Sequence, residues 1–329
     1  MIYKTLFVLK IWGIYSIYLK IDLRVSIMFK YIRNDTDFQN NISIGTALKR
    51  EFRELLQDIR LGYKYGGGMS KLRLPYWMFR YFLGKVFNPL NSNQIIKLTL
   101  RINGKRTKIA IRKNQSDLFT LKEIFLKSIY SFPLDKVRNN IKTVIDLGAN
   151  AGFTSVYFQM CFEDARIICV EPIRENVELI KQNSILTNGN WGIEEAAISD
   201  ENVGISFYPS EWWSSGTAVE SIVQSRRSKK HRVENKMPLP ERVVQGITIS
   251  QLIKTYNVST IDILKIDIEG EEIKIINGID EWIDKVNMII IEIHDKYIDG
   301  EKVRNAFLKY GFIKLETQGE CEVYLRNFN

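Results

Sequence analysis

The feature that most constrains the fold is a nine-residue run, VIDLGANAG, which begins at Val144. It is an apolar stretch ending in Asp146, followed by Gly148 and Gly152 and then by a helical pattern. Glycines at the end of a buried strand let the backbone approach a ligand, and a helix that begins there offers free N–H groups. This combination is typical of the first strand of an open α/β sheet that binds a nucleoside-containing ligand.

The chain after residue 141 alternates apolar strands with helices, as in a parallel sheet with crossover connections. Its strands lack in-and-out alternation, which indicates that both faces of the sheet are covered. The predicted strands are 143–146, 167–171, 195–198, 261–266 and 288–293, with a closing hairpin at 312–316 and 321–325. The predicted helices are 153–162, 174–186, 249–256, 271–276 and 302–310. We therefore expect an α/β, Rossmann-like fold with a mostly parallel seven-stranded sheet and an antiparallel C-terminal hairpin.

Two further regions precede this α/β domain, which is predicted over residues 141–329. Residues 1–90 have a helical pattern, with one helix at 47–59 and a flexible triglycine linker at 66–68. Residues 91–140 predict a β-hairpin around Asn103-Gly104, a dipeptide that type I′ turns favour. A helix at 118–130 follows, with Asp117 as its N-cap.

The basic charge of the chain indicates an anionic partner. The formal net charge is +9, which is compatible with nucleic acid, a membrane face or a phosphorylated substrate. Residues 1–33 are apolar and basic, but their apolar run at 5–19 is too short to span a bilayer and contains Lys10. These residues predict either an interfacial anchor or a helix packed on the rest of the protein. We expect a cytoplasmic protein with reduced cysteines, in peripheral contact with the inner membrane face if the first alternative holds.

The glycine loop favours S-adenosylmethionine over NAD as the cofactor. A dinucleotide fingerprint needs three glycines, whereas this loop has Gly148, Asn150 and Gly152. Asp146 beside the loop would repel a pyrophosphate but could hold the ammonium of an amino acid. Glu171 ends the second strand, where an acid can accept both ribose hydroxyls or, alternatively, cap the turn at Pro172. Ala197 and Ile198 end the next strand, and we expect them beside the adenine.

Three candidate catalytic residues follow the later strands. Asp267 and Glu269 emerge at the carboxyl edge of the sheet, where either could accept the proton of a substrate hydroxyl or bind the cofactor's amino end. The alternative is that they are acids at a helix start. His294 follows the last parallel strand and is a candidate base or orienting group. With two histidines in the chain a His-rich metal site is excluded, and no metal is predicted, although carboxylate-bound Mg²⁺ stays open.

The stretch before residue 245 is the part of the chain expected to cover the active site. It contains the basic run 226–232, which is either a solvated loop or a binding surface for a phosphate-bearing substrate. Trp212-Trp213 could stack on a sugar ring or, alternatively, hold the loop in place by hydrophobic contacts.

The ordered motifs resemble those of the FkbM-type methyltransferases. They are Ser116-Asp117, the run from Val144 to Gly152 with Thr154 and Ser155, Val170-Glu171-Pro172, Ala197-Ile198-Ser199-Asp200 and the run from Leu264 to Gly270. The resemblance covers residues 109–294 and implies a class I methyltransferase fold and S-adenosylmethionine. It also implies that Asp146, Gly148, Asn150 and Gly152 line the methionine part, Glu171 the ribose, and Asp267 and Glu269 the methyl-transfer site. Glu271 departs from the small residue that many members carry.

These observations predict an O-methyltransferase that acts on a sugar hydroxyl in a glycan or glycolipid precursor, with a nucleotide- or lipid-linked acceptor. An NAD-dependent sugar-modifying oxidoreductase is disfavoured by the missing third glycine and by the lack of a Tyr-x-x-x-Lys pair after the fourth strand. A nucleic-acid-modifying methyltransferase is disfavoured because no RNA-binding module or base-methylating motif occurs. A cofactor-binding protein without activity is the third alternative.

Overall fold

The computed structural model describes residues 44–86, 90–102, 104–131, 140–209, 216–219, 241–315 and 321–327. The predicted anchor at 1–33, the basic run at 226–232 and Trp212-Trp213 lie outside these residues. Among the described residues, no helix has both the length and the apolar character needed to cross a bilayer.

The described elements after residue 140 alternate between strands and helices, as the sequence pattern indicated. The helices are α1 (Ile44–Tyr65), α2 (Ser70–Val86), α3 (Gln115–Leu121), α4 (Phe153–Cys161), α5 (Arg174–Thr187), α6 (Ile249–Thr255) and α7 (Gly300–Lys309). The first strands are β1 (Asn91–Ile102), β2 (Lys105–Asn114), β3 (Thr143–Leu147), β4 (Arg166–Val170), β5 (Asn190–Glu194) and β6 (Ala197–Ile198). The others are β7 (Gly204–Phe207), β8 (Arg242–Ile247), β9 (Ile261–Ile266), β10 (Val286–Glu292), β11 (Phe312–Leu315) and β12 (Cys321–Arg326).

The central sheet has seven strands in the order β11-β12-β10-β9-β3-β4-β5. Neighbouring strands are parallel except for β12, which pairs antiparallel with both β10 and β11. Alternate residues of β3 enter two separate apolar clusters: Val144 packs on one side of the sheet and Ile145 on the other. The predicted α/β, Rossmann-like fold, with a mostly parallel seven-stranded sheet covered on both faces and a C-terminal antiparallel hairpin, is confirmed.

The β1–β2 hairpin and helices α1 and α2 form an N-terminal layer that shares a core with the sheet. One apolar cluster runs from Leu74 in this layer to Val323 in β12. Asn183 of α5 pairs with both the N–H and the carbonyl of Ala110 in β2, and it also donates to the carbonyl of Ala151. Asn183 therefore links the N-terminal layer to the glycine loop by hydrogen bonds. The domain boundaries near residues 90 and 140 stay a prediction.

The triglycine joins α1 to α2, and its backbone is fixed rather than free. The N–H of Gly67 donates to the carbonyl of Thr99 at 2.8 Å, and Gly66 forms a bridge with Leu100. Gly104 has a φ of 83° in the two-residue turn that connects Ile102 to Lys105, which confirms the predicted hairpin.

Besides the flexibility of the triglycine, three further local predictions are wrong. The third strand of the main sheet is β5 rather than 195–198, and β6 belongs to a separate three-stranded sheet. The strand β5 is a half-exposed edge strand, so it lacks the apolar run that marks a buried strand. Residues 271–276 form a 3-10 turn at Lys274–Ile276, bounded by the left-handed Gly270 and Gly278. The N-cap of α3 is Asn114, whose side chain accepts from the Asp117 N–H, and a π-helical turn (Lys122–Leu126) continues α3.

Candidate active site

A cavity of about 750 Å³ lies at the carboxyl ends of β3, β4, β9 and β10, within the size range of small-molecule sites. The π-helical turn and α3 contribute one wall of this cavity. It brings together nine of the predicted site residues, which are Gly148, Asn150, Glu171, Pro172, Ala197, Ile198, Asp267, Glu269 and His294. Asp146 and Gly152 do not line it.

The glycine loop adopts left-handed conformations at alternate residues. Gly148, Asn150 and Gly152 have φ values of 73°, 49° and 76°. A β-carbon on Gly148 would lie 1.8 Å from the carbonyl oxygen of Asp267, so this glycine allows β3 and β9 to end in close contact. Asparagine tolerates the left-handed region better than most residues, which explains its place between the two glycines.

Asp146 is buried beneath the loop rather than exposed to a ligand. Its carboxylate accepts a hydrogen bond from the Ser155 hydroxyl at 2.7 Å and lies 3.2 Å from the ammonium of Lys265. The residue has no exposed surface. The sequence suggested that Asp146 contacts the amino end of the cofactor directly, and its burial contradicts this. Asp146 instead holds Ser155 and Lys265 beneath the cavity.

Lys265 is a site residue that the sequence analysis missed. It lies in the apolar strand β9, and its ammonium donates to the carbonyl of Gly148 at 2.9 Å and lies 3.7 Å from Asp267. Burial opposes its charge, but Asp146 and Asp267 outweigh burial and raise the pKa of Lys265. It stays protonated and joins the glycine loop to the acidic turn. A lysine within the apolar run from Ile263 to Ile266 was the available signal.

Glu171 lies in the cavity wall and is 4% exposed. One oxygen accepts from the N–H of Ile173 and from the Asn176 amide, and the other accepts from the N–H of Asn150. Burial raises the pKa of Glu171 to about 7, although these three donors favour the carboxylate. The capping role is therefore present, and the oxygen with one donor retains capacity for a ligand hydroxyl.

A buried hydrogen-bond chain connects the N-terminal layer to Glu171. Arg112 of β2 forms a bidentate pair with Asp117 and donates to the Asn176 side chain at 2.9 Å. Asn176 in turn donates to Glu171 at 3.0 Å. Asp117 is 2% exposed and Asn176 is fully buried. The hairpin thus helps to fix the acid on the cavity wall.

The acidic turn after β9 holds Asp267 and Glu269 at the cavity. Glu269 has a φ of 54°, an uncommon conformation for a residue with a side chain. The Thr217 hydroxyl donates to the Glu269 carbonyl at 2.8 Å, so the segment 216–219 closes over this turn. A strained residue in a cavity wall is typical of a functional site.

His294 is fixed by the buried carboxylate of Glu272, a residue that the sequence analysis did not single out. Its Nδ1 lies 2.9 Å from Glu272, which has no exposed surface and also accepts from the N–H of Gly270. Burial disfavours the imidazolium, but Glu272 outweighs it and the pKa of His294 rises to about 10. At neutral pH the ring is therefore charged, which disfavours the predicted general-base role and leaves an orienting role.

The described cavity wall is acidic, although the whole chain is basic. Its carboxylates are Glu123, Glu171, Asp267, Glu269, Glu271 and Glu292, against Lys127, Lys265 and His294. An acidic wall attracts a sulfonium and an ammonium and repels a pyrophosphate. Single ligand atoms of Asp267, Glu269 and His294 also lie within 4.8 Å of one another, a spacing that a divalent cation could bridge. The absence of a metal stays a prediction.

Comparisons with known proteins show similarity to methyltransferases. The model of the methyltransferase FkbM domain matches residues 146–314. Methyltransferase 1 of Beauveria bassiana is 23% identical over 59% of this chain and 80% of its own length. Hexuronic acid methyltransferase AglP of Haloferax volcanii is 24% identical over 45% of this chain and 54% of its own length. The crystal structure of methyltransferase FkbM from Methylobacillus flagellatus is 12% identical, with a TM-score of 0.36 over 63% of this chain and 53% of that one.

The matched region begins at Asp146 and contains the glycine loop, Glu171 and the acidic turn, and it extends over more than half of the 329 residues. It includes all of the cavity-bordering strands β4, β9 and β10 and the end of β3. The chain therefore belongs to the FkbM methyltransferase family, and S-adenosylmethionine is its cofactor.

Proposed function

We propose that this protein methylates a sugar hydroxyl in a glycan or glycolipid precursor. The observation that carries the proposal is the pair of carboxylates, Asp267 and Glu269, held beside a charged His294 in the wall of the same cavity as Glu171. Hexuronic acid methyltransferase AglP, by its name, modifies a sugar acid, which supports a sugar acceptor here.

The chain's own groups fit S-adenosylmethionine. Glu171 has an oxygen with room for the ribose hydroxyls, and Ala197 and Ile198 offer a small apolar surface for the adenine. Asn150 lines the cavity, and its side-chain oxygen is buried and accepts no hydrogen bond from the described residues. Such an acceptor suits an ammonium group. In this proposal Gly148 and Asn150 border the methionine part, while Asp146 and Gly152 support the loop from below.

The mechanism assigns proton transfer to the acidic turn. When bound, S-adenosylmethionine supplies an electrophilic methyl group. Asp267 or Glu269 accepts the proton of the acceptor hydroxyl as the oxygen becomes a nucleophile. His294, with its Nε2 3.9 Å from Glu269 and 3.7 Å from Glu292, orients these carboxylates. Lys265 holds the Gly148 carbonyl and lies beside Asp267, so donor and acceptor sites keep a fixed separation.

Cofactor affinity should rise with pH through neutrality. Glu171 has a pKa of about 7 in the free protein, and the carboxylate accepts ribose hydroxyls better than the protonated acid does. From pH 6 to pH 8 the ionised fraction increases about tenfold, so the Kd of S-adenosylhomocysteine should fall by up to about tenfold. Calorimetric titration measures this dependence. Glu171→Gln, which cannot ionise, should bind weakly with no such change, and an equal slope in both proteins would contradict the assignment.

Asn176→Ala should weaken both stability and cofactor binding, because it interrupts the chain from Arg112 to Glu171. Losing a buried hydrogen-bonding partner costs about 1–3 kcal/mol, and S-adenosylhomocysteine should bind about fivefold more weakly. Urea unfolding and calorimetry measure the two effects. Asn190→Ala, on the exposed start of β5, is the matched control. Unchanged affinity in Asn176→Ala would show that the chain does not position Glu171.

The acceptor class is tested by methyl transfer to a panel of hydroxyl compounds. Purified protein with radiolabelled S-adenosylmethionine is offered uronic acids, neutral sugars, nucleotide sugars and a transfer RNA, each with and without EDTA. The proposal expects label in a sugar O-methyl ether that survives mild base, together with turnover in EDTA. Label in the transfer RNA, with none in any of the sugars offered, would overturn the sugar proposal while leaving the family assignment intact.

A further inference from the structure

One stretch of the sequence carries a large excess of positive charge. Residues 59–116 contain 13 Lys and Arg and no Asp or Glu, whereas the remaining residues have a net charge of −4. This stretch covers the end of α1, all of α2 and the β1–β2 hairpin. The N-terminal layer is therefore strongly basic, in contrast to the acidic cavity wall.

Apolar side chains are exposed in the same layer. Met69 is 73% exposed, Tyr63 54%, Leu72 47% and Tyr76 42%. They cluster around the turn from α1 to α2 and the outer face of α2, where Leu72 and Tyr76 are four residues apart. Large exposed apolar groups gathered in one place mark an interaction surface.

The basic and apolar groups share one surface. The ammonium of Lys71 lies 5.8 Å from the centre of the Tyr63 ring. Arg73 and Lys113 border a recess of about 340 Å³ whose other walls are Leu72, Tyr76, Trp77 and Ile96. The recess thus lies between α2 and both strands of the hairpin. Two cationic side chains border its apolar walls.

We propose that this surface, formed by Tyr63, Met69, Lys71, Leu72, Arg73, Tyr76 and Lys113, docks the protein on an anionic lipid bilayer. Lysine and arginine attract anionic headgroups, and exposed aliphatic and aromatic side chains enter the interface beside them. A nucleic acid would use the cations and aromatic rings but would leave Met69 and Leu72 in water. The inference stands whatever the methyl acceptor is.

Vesicle co-sedimentation of the full chain tests the proposal. Vesicles are pure phosphatidylcholine or a 7:3 mixture of phosphatidylcholine and phosphatidylglycerol. The wild type should bind the mixture more tightly than pure phosphatidylcholine, and less tightly as salt rises. Each basic residue near the surface contributes about fivefold, so Lys71→Glu/Arg73→Glu should reduce binding more than tenfold. Met69→Ser/Leu72→Ser should reduce it several-fold through lost apolar burial.

Two matched controls distinguish an effect of this surface from the effect of changing net charge or exposed apolar area anywhere on the protein. Lys302→Glu/Lys309→Glu makes the same charge change on α7, and Ile185→Ser/Leu308→Ser removes two groups that are 75% and 49% exposed elsewhere. The controls should bind vesicles like the wild type, and every variant should keep wild-type S-adenosylhomocysteine affinity. Equal vesicle binding by surface and control variants would overturn the proposal. So would surface variants that lose binding to a single-stranded RNA but not to vesicles, a result that would assign the surface to nucleic acid.

Discussion

Lys265→Met should destabilise the protein by about 3–5 kcal/mol, the cost of breaking a buried ion pair by removing one partner. The change leaves Asp146 without its counter-charge in a site with no exposed surface, and it removes a donor from the carbonyl of Gly148. Urea unfolding followed by circular dichroism measures the loss. Because Lys265 also lies beside Asp267, the variant should bind S-adenosylhomocysteine poorly even where it is folded.

Two further variants make this prediction specific. Lys302→Met removes a lysine that is 68% exposed and should change the free energy of unfolding by less than about 0.5 kcal/mol. Asp146→Asn in the Lys265→Met background removes the orphaned charge and should restore part of the stability. A Lys265→Met protein within about 1 kcal/mol of the wild type would show that the pair does not hold the loop and turn together.

The second large effect concerns catalysis at the acidic turn. Asp267→Asn/Glu269→Gln should lower kcat by about 10²–10⁴, the usual contribution of a positioned acid or base. Both replacements keep shape and hydrogen-bonding capacity, so the affinity for S-adenosylhomocysteine should change far less than kcat. Single-turnover methyl transfer to a verified acceptor measures the chemical step. The single variants then show which carboxylate removes the proton.

Asp299→Asn/Glu301→Gln is the matched control, because it neutralises two carboxylates that are 54% and 73% exposed near the start of α7. Its kcat should equal that of the wild type. If the acidic-turn variant turns over its acceptor at the wild-type rate, neither carboxylate is the base, and proton removal must be assigned elsewhere in the cavity.

Much of the site was predictable because parallel strands bring their carboxyl ends to one edge. Glu171, Asp267 and His294 each follow a buried strand, so the strand pattern alone places them together. The predictions that failed concern features that depend on tertiary contacts. The edge strand β5 is half exposed and has no apolar signature. Gly192 within it accommodates the ring of Tyr256, a contact that no local pattern encodes.

The supporting residues were harder to predict for the same reason. Lys265, Glu272 and Asn176 act through partners 118, 22 and 5 residues away. Only Lys265, which lies within an apolar run, differs locally from ordinary polar residues. The reverse error concerns Asp146, whose position at the end of an apolar strand suggested contact with the cofactor. The lysine opposite it in β9 turns that carboxylate inward.

The cofactor and the role of Glu171 are tested together by calorimetric titration with S-adenosylmethionine, S-adenosylhomocysteine and NAD, on the wild type and on Glu171→Ala. We expect both sulfur compounds to bind the wild type, Glu171→Ala to lose most of this affinity, and NAD to bind neither protein. Binding of NAD without either sulfur compound would contradict the cofactor assignment. Undiminished binding to Glu171→Ala would contradict the placement of the ribose at that acid.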